Sequence, residues 1–588
     1  MFKEKNKILE KGKKRFSALI INLIFVFFVT TSCAYENINT ISNNDFTANA
    51  MSPLKITDFD EFDYQLKIAS ELGVDAISVD VWWGMVEQED NNFDWSYYDE
   101  VFELIKNNNL KILPIMSFHQ CGGNVGDDVN IYIPKFLFSK YTNTKYKNII
   151  LKDTDLKYVS ELGNVSNEYL SLFVDNLVKN EYLDFMNDFE QHFYDYKDDF
   201  QEINISCGSA GELRYPSYNS HDSGNTFSGY PNKGYLQCYS DIAKLDFRND
   251  MLAKYQDLEG INNAWSINLT DIDTINPPSN GQEFFYASNK PYLNSTYGQD
   301  FVDWYNDSLV EHGKNMIDYA LEAFDEDFRD IKLGIKIPGV HWQINNFEYP
   351  RTAEINAGLI GSNFDSYNSY GYEDILSMVS SYGDKVVLHF TCLEMDNDNG
   401  ESTSTPKDLV SWVGNSANEF GVEIKGENAL NFGNEDSNYW TNIDDAIANN
   451  HYKGITILRI NDVVYGNSNN YYSNLISKYK DFNFDNKNVF RVNNVTTDPS
   501  YEVYIVGNTD ELGNWDVNKA VKMYNVNEDR ASKINPWMVC IENLPMNQNI
   551  EFKFIIKSND DVIWENNIPN RFINISDKFN TFSYEFNN

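Results

Sequence analysis

The sequence predicts an α/β protein made of a closed (β/α)8 TIM barrel followed by a small all-β sandwich. Three observations carry this prediction. Helical and strand patterns alternate from about residue 51, as in parallel sheets covered by helices. Polar, glycine-containing segments follow the predicted strands, and a barrel builds its active site at those strand ends. Near residue 485 the pattern changes to short alternating strands separated by turns, which is typical of a sandwich.

The predicted barrel elements follow one another along the chain. Apolar residues at helical spacing mark helices within residues 62–72 and 98–105, and a strand follows each of them. Buried strands are predicted at residues 76–83, 111–119, 202–207, 331–337, 385–392, 421–426 and 454–460. A doubly wound open sheet is the alternative, but it usually carries a phosphate-binding glycine turn after its first strand. No such turn is found in the sequence, which favours the closed barrel.

Composition divides the chain into four segments. Residues 1–33 are predicted to be a signal peptide, 34–50 a flexible N-terminal segment, 51–485 the barrel and 488–588 a β-sandwich domain. FNFDNKN, at residues 482–488, is a plausible short junction between the last two segments.

The first segment indicates export. Its basic start is followed by an apolar run, from Ala18, that is short for a bilayer span and ends in the small residues TTSC. We therefore expect a secreted, extracellular protein. Cys33 is a candidate for lipid attachment, which would anchor the protein at the cell surface, although Thr30 stands where lipoprotein signals usually have a Leu-like residue. A membrane is expected as a partner only through this anchor.

The protein is strongly acidic and rich in aromatic residues. The 588 residues carry a net charge of −41, and 15% of them are aromatic. This charge argues against nucleic acid or an anionic membrane surface as a partner, and the sequence implies no protein partner. An uncharged ligand such as a sugar, on which aromatic rings stack, remains compatible. Solubility of a secreted protein explains the acidic excess equally well.

Two glutamates follow well-separated predicted strands in glycine-containing loops. Glu212 lies in GSAGELRYPSY and Glu427 in GENALN. A single carboxylate at such a position is often a structural ion pair or a helix cap. Two of them at one barrel mouth match the requirement of glycoside hydrolysis, which needs one protonated carboxylic acid and one carboxylate.

Six segments in the same order resemble the signature segments of the β-amylases, glycoside hydrolase family 14, and especially the bacterial type with a starch-binding module. They are DVWWG, SFHQCGGNVGDD, GELRYPS, KIPGVHWQ, FTCLEM and GENALN. The resemblance implies exo-hydrolysis of α-1,4-glucosidic linkages in starch and related glucans, with β-maltose released from non-reducing ends and inversion of configuration. It implies Glu212 as general acid, Glu427 as general base and no organic cofactor.

The resemblance also implies which residues bind substrate. In the family the segment HQCGGNVGDD is a mobile lid that closes over the glucan, which agrees with the freedom that its glycines allow. The implied substrate-binding residues are Asp80, His119, Asp127, Lys336, His341, Thr391, Asn428, Ala429 and Arg459. His119 as a buried core histidine and Arg459 as a charge partner of a site carboxylate are the alternatives. Val129 stands where some bacterial relatives pair a second cysteine with the earlier lid cysteine, so Cys121 is expected to lack that partner.

One calcium ion is a further implication of the resemblance. Bacterial relatives bind one at positions that correspond here to Glu87, Asp90, Asn91, Glu181 and Asp184. Hard oxygen ligands suit Ca²⁺, and the last two of these residues, three apart, would share a helix face. A solvated acidic patch is the alternative.

The last hundred or so residues resemble starch-binding modules, carbohydrate-binding module family 20, through GNTDELGNWD, EFKFIIK and VIWEN. Trp515 and Trp564 are expected to form a platform on which sugar rings stack, with Lys553 and Asn570 at its rim. A place in the sandwich core is the alternative for the two tryptophans.

Two other functions stay open. A non-catalytic starch-capture protein would keep the barrel as a binding cleft, but loss of activity would be expected to remove a catalytic glutamate or the lid, and the sequence retains both. A retaining α-glucanase on the same fold would need a nucleophilic carboxylate and would release α-anomers.

Overall fold

The computed structural model describes residues 46–587 apart from several short stretches. Those are 124–126, 366–369, 399, 401, 431–436, 465–467, 483, 485, 496–500, 526–536, 559–560, 567 and 576–578. The predicted signal peptide and Cys33 lie outside the described residues. Barrel and sandwich belong to one compact unit, formed by residues 47–478 and 482–588. In the part that is described, no helix has the length and apolar character needed to cross a membrane.

Eight parallel strands form the barrel. They are β1 (Thr47–Met51), β2 (Ala76–Trp82), β3 (Lys111–Ser117), β4 (Ile203–Ile205), β5 (Leu333–Ile337), β6 (Val386–Phe390), β7 (Glu423–Glu427) and β8 (Gly454–Ile457). The hydrogen-bonded order is β1-β8-β7-β6-β5-β4-β3-β2, and the sheet closes on itself. The closed-barrel prediction is confirmed. Apolar strands such as β2, in which every residue is buried, fit a sheet that is covered on both faces.

The first strand corrects the predicted boundary of the barrel. Residues 34–50 were expected to be flexible, yet β1 begins at Thr47 and pairs with both neighbours, so that Ala50 lies opposite Ile457 on one side and Ile77 on the other. Its sequence, TANAM, lacks the run of large apolar residues that marked the other strands. Small side chains suffice here because Ala48 and Ala50 are fully enclosed by their neighbours.

Helices surround the barrel and fill the long connections. They are α1 (Phe59–Glu71), α2 (Trp83–Val86), α3 (Ser96–Asn107), α4 (Lys135–Tyr141), α5 (Asp175–His192), α6 (Asp241–Tyr255), α7 (Leu258–Trp265), α8 (Gly281–Tyr286), α9 (Pro291–Asn294), α10 (Thr296–Ala323), α11 (Thr352–Asn356), α12 (Glu373–Ser380), α13 (Pro406–Glu419), α14 (Ser437–Asn449), α15 (Ile460–Val464) and α16 (Ser468–Tyr479). The predicted helical faces lie on α1 and α3, whose apolar residues Phe62, Leu66, Tyr98 and Phe102 are buried.

The C-terminal domain consists of two small sheets. Its strands are β9 (Lys487–Asn493), β10 (Glu502–Gly507), β11 (Val521–Lys522), β12 (Tyr524–Asn525), β13 (Trp537–Glu542), β14 (Asn549–Lys557), β15 (Val562–Trp564), β16 (Arg571–Asn574) and β17 (Phe579–Glu585). One sheet has the order β12-β13-β9-β17, and the other has the order β11-β10-β14-β15 with β16 also paired to β14. Alternate residues such as Phe490, Val492, Phe552 and Phe554 fill the core, as the period of two requires.

The sandwich is docked on helix α1 of the barrel. The hydroxyl of Tyr64 donates a hydrogen bond to the carbonyl oxygen of Met538 at 2.7 Å. Its ring stacks on Tyr524, with centroids 3.8 Å apart and an interplanar angle of 19°. Burial raises the pKa of Glu71, at the end of the same helix, and a hydrogen bond from Cys540 of β13 opposes that shift. The domains therefore share a packed contact as well as a short junction.

Candidate active site

A cavity of about 210 Å³ opens at the C-terminal ends of the barrel strands. Both predicted catalytic glutamates line it, together with every predicted substrate-binding residue except His341. The lining also includes residues for which the motifs predicted no role, among them Met51, Leu54, Trp82, Ile115, Gln120, Asn204 and Leu458. The motifs quoted from the sequence thus converge on one place.

Glu212 is presented by a tight turn after β4. Gly208 begins the turn, and a Cβ there would lie 2.5 Å from the carbonyl oxygen of Glu212, so only glycine fits. Gly211 has a φ of +77°, a conformation that glycine adopts without strain. Beyond the turn, the N–H of Leu213 donates to the carbonyl oxygen of Lys336 at 2.7 Å. This bond aligns the loop with β5 and points the glutamate into the cavity that it lines.

The surroundings of Glu212 favour a protonated carboxyl. Burial raises its pKa, and it outweighs the opposing effects of the Arg214 and Lys336 charges. Arg214 Nε donates a hydrogen bond to Glu212 Oε2 at 2.8 Å. The other carboxyl oxygen, Oε1, takes no part in this contact. The negative charge of Glu427 also raises the pKa. A buried carboxylic acid of this kind suits a proton donor.

Glu427, at the end of β7, is held in the opposite way. Lys336 Nζ lies 2.5 Å from its Oε2, and both side chains are mostly buried. An ammonium at this distance stabilises the ionised carboxylate. The two glutamates thus occupy one cavity with different charge partners, as an acid and a base require.

Glu394 holds the backbone that follows Glu427, a role to which no sequence signal pointed. Its carboxylate accepts hydrogen bonds from the N–H of Ala429 and the N–H of Leu430, each at 3.0 Å. Burial raises the pKa of Glu394 to about 7, while these backbone donors oppose the shift. Glu394 lies within the FTCLEM segment, so the motif contained it, but only the folded chain brings it to GENALN.

His119 and Asp127, both from the segment HQCGGNVGDD, line the cavity. Burial and, to a smaller extent, the Lys336 charge lower the pKa of His119 to about 3, so the imidazole is neutral near neutral pH. Its Nδ1 is 2.8 Å from Ser206 Oγ. Asp127 Oδ2 accepts a hydrogen bond from the Gly122 N–H at 2.9 Å, which folds the described part of the lid back on itself. His119 is buried, as expected for a core histidine, and it also lines the cavity.

The other predicted substrate-binding residues divide into cavity-lining residues and one outside. Burial raises the pKa of Asp80, and the charge of Arg459 is the strongest opposing effect, so Arg459 is a charge partner of a site carboxylate as well as a cavity residue. Thr391 Oγ1 accepts a hydrogen bond from the Gly339 N–H at 2.7 Å. His341 lies outside the cavity lining, with Nδ1 2.7 Å from Ser404 Oγ, and its role stays a prediction.

The predicted starch platform of the sandwich is partly exposed. The rings of Trp515 and Trp564 have centroids 6.5 Å apart and are tilted by 35°, and neither ring is fully buried. Lys553 Nζ donates to the carbonyl oxygens of Glu565, at 2.8 Å, and Ile568, so the lysine supports the segment that follows Trp564. The remaining rim residue, Asn570, donates to Glu551 Oε2 at 3.0 Å.

The predicted calcium ligands lie near one another, but they do not fit a metal ion. Lys140 Nζ lies 2.9 Å from Asp90 Oδ1 and 3.0 Å from Glu181 Oε2. Glu87 uses its two carboxylate oxygens to accept hydrogen bonds from the Trp83 indole, at 2.7 Å, and from the backbone of Asn91, at 2.8 Å. Over the described ranges, no group of three or more His, Cys, Asp or Glu side chains is arranged to hold a metal.

A barrel with two differently partnered carboxylates in one mouth, joined to a sandwich with a half-exposed tryptophan pair, defines a glycoside hydrolase with a carbohydrate-binding domain. Comparison with known families agrees: the description "Glycosyl hydrolase family 14" matches residues 49–485, and "Starch binding domain" matches residues 487–583. The chain belongs to glycosyl hydrolase family 14, the β-amylase family.

Individual relatives match most of the chain. It is 36% identical over 565 residues to a β-amylase of Bacillus cereus, covering 94% of this chain and 95% of that protein. It is 37% identical over 573 residues to a thermophilic β-amylase of Thermoanaerobacterium thermosulfurigenes, covering 94% of each. The crystal structure of the catalytic domain of a Paenibacillus polymyxa β-amylase superposes with a TM-score of 0.66 at 36% identity, covering 74% of this chain and 99% of that one.

Proposed function

We propose that this β-amylase-family protein removes β-maltose from the non-reducing ends of α-1,4-glucans, with Glu212 as general acid and Glu427 as general base. The observation that carries the proposal is the contrast between the two carboxyls. Burial raises the pKa of Glu212, whereas Glu427 is ion-paired with Lys336 at 2.5 Å. An inverting hydrolysis needs this pair of states at one cavity.

The reaction is a single displacement. Glu212 donates its proton to the glycosidic oxygen as the bond to the anomeric carbon breaks. Glu427 removes a proton from a water that attacks the same carbon from the opposite face, so the product is the β-anomer. The neutral imidazole of His119 and the carboxylate of Asp80, both in the cavity lining, hydrogen-bond sugar hydroxyls. Glu212 is then ionised and Glu427 protonated, and exchange with solvent restores both.

Proton NMR of freshly released product tests this proposal. Purified enzyme is mixed with soluble starch, and the anomeric signals are recorded before mutarotation. The β-anomer of maltose is expected first. An initial α-anomer would indicate a retaining α-glucanase, and absence of reducing sugar would indicate a non-catalytic starch-capture protein.

We further propose that the sandwich holds the enzyme on starch through Trp515 and Trp564. Two tilted, half-exposed rings with centroids 6.5 Å apart offer apolar faces to consecutive sugar units, because pyranose C–H groups pack on aromatic rings without needing charge. Adsorption to granular starch, followed by sedimentation of the granules, should be lost when both tryptophans are replaced by alanine. Adsorption equal to that of the unsubstituted protein would rule out this platform.

Export is the third part of the proposal. The basic and apolar composition of residues 1–33 supports a secretory signal, with Cys33 as a candidate site for lipid attachment. N-terminal mass analysis of the protein recovered from medium and from membranes tests both ideas. A mature N-terminus upstream of the apolar run, in protein retained inside the cell, would contradict export.

A further inference from the structure

Helix α10 contacts the loop of the general acid from outside the barrel. His312 Nε2 lies 2.9 Å from the carbonyl oxygen of Cys207, the residue at which the loop begins. The next residue, Gly313, faces Leu213, and a Cβ at Gly313 would lie only 2.8 Å from the Leu213 side chain. The helix therefore touches the loop on both sides of Glu212.

The imidazole of His312 faces two acceptors. Nδ1 lies 2.7 Å from Asp175 Oδ2, and Nε2 faces the Cys207 carbonyl. A neutral imidazole donates from only one nitrogen. The contact of Nδ1 with Asp175 orients the ring so that Nε2 meets the carbonyl oxygen of Cys207. Both side chains are buried, with 0% and 4% exposed, and Asp175 begins helix α5, whose N-terminus favours a carboxylate.

The pair lies outside the cavity lining but connects to it. The ring of Tyr169 stands edge-on to His312 at a centroid distance of 5.6 Å. Its hydroxyl donates to the carbonyl oxygen of Ser206 at 2.9 Å. Ser206 Oγ in turn lies 2.8 Å from Nδ1 of His119. The carbonyls of Ser206 and Cys207, at the start of the loop that carries Glu212, are thus held by the side chains of Tyr169 and His312.

We propose that His312, oriented by Asp175, is a positioning residue for Glu212. Its hydrogen bond to the Cys207 carbonyl fixes the start of the acid loop, and the close contact between Gly313 and Leu213 fixes its end. A displacement of about 1 Å in a catalytic group can cost about 100-fold in rate, so this support acts on the chemical step. The inference rests on the proposed role of Glu212 as general acid.

The test compares His312→Gln with Asp175→Asn on soluble starch. The single amide group of glutamine cannot reach both acceptors, so the carbonyl of Cys207 is no longer held in place. We expect kcat to fall about 10- to 100-fold, with KM changed less than about twofold. In Asp175→Asn, a neutral imidazole accepts from the asparagine amide and still donates to Cys207, so kcat should stay within about threefold.

Met316→Ala, one turn further along α10 and equally buried, is the matched control for lost stability. Its melting temperature should fall while kcat stays near that of the unsubstituted enzyme. If His312→Gln does not fold, the Asp175→Asn/His312→Gln double variant removes the uncompensated buried carboxylate and should show the same loss of kcat. The proposal is overturned if the histidine variant that folds keeps kcat within twofold, or if Met316→Ala loses kcat equally.

Failure of this inference is distinguishable from failure of the proposed function. The anomeric configuration of the product and the effect of Glu212→Gln report on the role of Glu212 itself. If those results hold while the His312 variants keep their activity, only the positioning role is lost.

A second, independent observation concerns the acidic cluster beside α4. We infer that the ammonium of Lys140 supplies the cation that this cluster, Asp90 with Glu181, would otherwise take from solution. Lys140 Nζ lies 2.9 Å from each carboxylate oxygen of Asp90 and 2.8 Å from the nearer oxygen of Glu181. Tyr141 also donates to Glu181. The cluster joins the loop after β2 to α4 and α5, so its neutralisation stabilises the fold.

Thermal unfolding with and without divalent cation tests this second inference. The unsubstituted protein should melt at the same temperature, within about 1 °C, in EDTA and in millimolar calcium chloride. Lys140→Gln should melt lower in EDTA and regain stability with calcium, because the vacated carboxylates then bind the ion. Lys135→Gln, on the same helix with the same charge change, should show neither effect. Stabilisation of the unsubstituted protein by calcium, or no calcium response in Lys140→Gln, would overturn the inference.

Discussion

The loop that carries Glu212 and the loop that carries Glu427 serve one cavity but are held in different ways. The acid loop is a tight backbone turn whose course depends on Gly208 and Gly211. The base loop is held by a side chain, because Glu394 accepts hydrogen bonds from two of its backbone N–H groups. One carboxyl oxygen of Glu212 accepts a hydrogen bond from the guanidinium of Arg214. Glu427 is instead paired with the ammonium of Lys336, at 2.5 Å.

The difference teaches how one cavity gives two glutamates different electrostatic surroundings. Both carboxyls line the same cavity, but Glu212 accepts from the guanidinium of Arg214, whereas Glu427 is ion-paired with the ammonium of Lys336. The negative charge of Glu427 helps to raise the pKa of Glu212, whereas the charges of Arg214 and Lys336 oppose that shift. A change in the charge of Glu427 or of Lys336 should therefore shift the alkaline limb of the pH profile, which reports on Glu212.

Removal of either carboxyl should have the largest effect. Glu212→Gln and Glu427→Gln keep side-chain shape but lose the proton donor or acceptor, so each should lower kcat by roughly three orders of magnitude or more while starch binding persists. Steady-state rates on soluble starch and adsorption to granules measure the two quantities. Either variant retaining a tenth of the activity would mean that the role belongs to another residue.

Lys336→Met should have the next largest effect, because it removes the asymmetry between the two glutamates. We expect kcat at the optimum to fall about 100-fold, the scale for one lost electrostatic contact at a reacting centre. Glu427 loses its ion pair with the ammonium of Lys336 in this variant. The Lys336 charge also lowers the pKa of Glu212, so the alkaline limb should move to higher pH.

Lys332→Met is the matched control for that prediction. Lys332 forms an ion pair with Glu423 at 2.7 Å. Like the Lys336–Glu427 pair, it links β5 to β7, but it lies at the N-terminal ends of these strands. This variant has the same charge change and should leave both limbs of the profile in place. An alkaline limb of Lys336→Met that keeps its position would contradict the effect of the Lys336 charge on Glu212.

The contrast between the loops also explains what the sequence predicted. The acid loop is local: its glycines, its glutamate and its preceding strand are contiguous, so GSAGELRYPSY predicted its place and function. The support of the base loop comes from Glu394, 33 positions away, and the second support of the acid loop comes from His312 on α10. Such long-range contacts are set by packing and carry no local pattern.

The same reasoning covers the fold and the acidic cluster. Seven barrel strands were predicted because their sequences are apolar runs. The strand β1 was not predicted, because the sequence alone does not distinguish buried alanines from alanines in a loop. The resemblance named five possible calcium ligands, but it did not include Lys140, whose position among them follows only from the placement of α4.

Glu394→Gln should have a smaller effect on rate and a distinct effect on stability. We expect kcat to fall about tenfold, because one amide oxygen replaces two carboxylate oxygens under the base loop. Burial raises the pKa of Glu394 to about 7, above its value in the unfolded chain. Its protonated form therefore stabilises the fold fully below about pH 4.5, and that contribution is lost as pH rises to about 7.

Glutamine is neutral throughout this range, so the stability of the variant does not fall through titration of this side chain. Between pH 5 and 8 the stability of the unsubstituted protein should fall by roughly 2–3 kcal/mol relative to the variant. Thermal unfolding of both proteins at the two pH values measures the difference. A constant difference in melting temperature would show that Glu394 does not titrate in this window.

The smallest effect on soluble substrate is expected from the sandwich, which lies outside the contrast between the two loops. On soluble starch, chain ends reach the barrel by diffusion, so replacing both Trp515 and Trp564 by alanine should leave kcat within about twofold. On granules, chain ends are sparse and fixed, and a bound sandwich raises the local concentration of the barrel around them. The same double variant should therefore hydrolyse granular starch much more slowly, since each removed ring forfeits stacking of roughly 1–3 kcal/mol, taking the scale known for base–aromatic platforms.

Truncation near Lys487 should give the same split between substrates, but it also uncovers the face of α1 on which the sandwich is docked. Tyr64 then loses its hydrogen bond to Met538 and its stacking on Tyr524, so the truncated barrel should melt at a lower temperature than the double variant. The comparison of the two proteins separates starch binding, which both lose, from bracing of the barrel, which only the truncation removes. If the double variant loses activity equally on soluble and granular starch, the tryptophans act on the barrel and the division of labour between the domains is wrong.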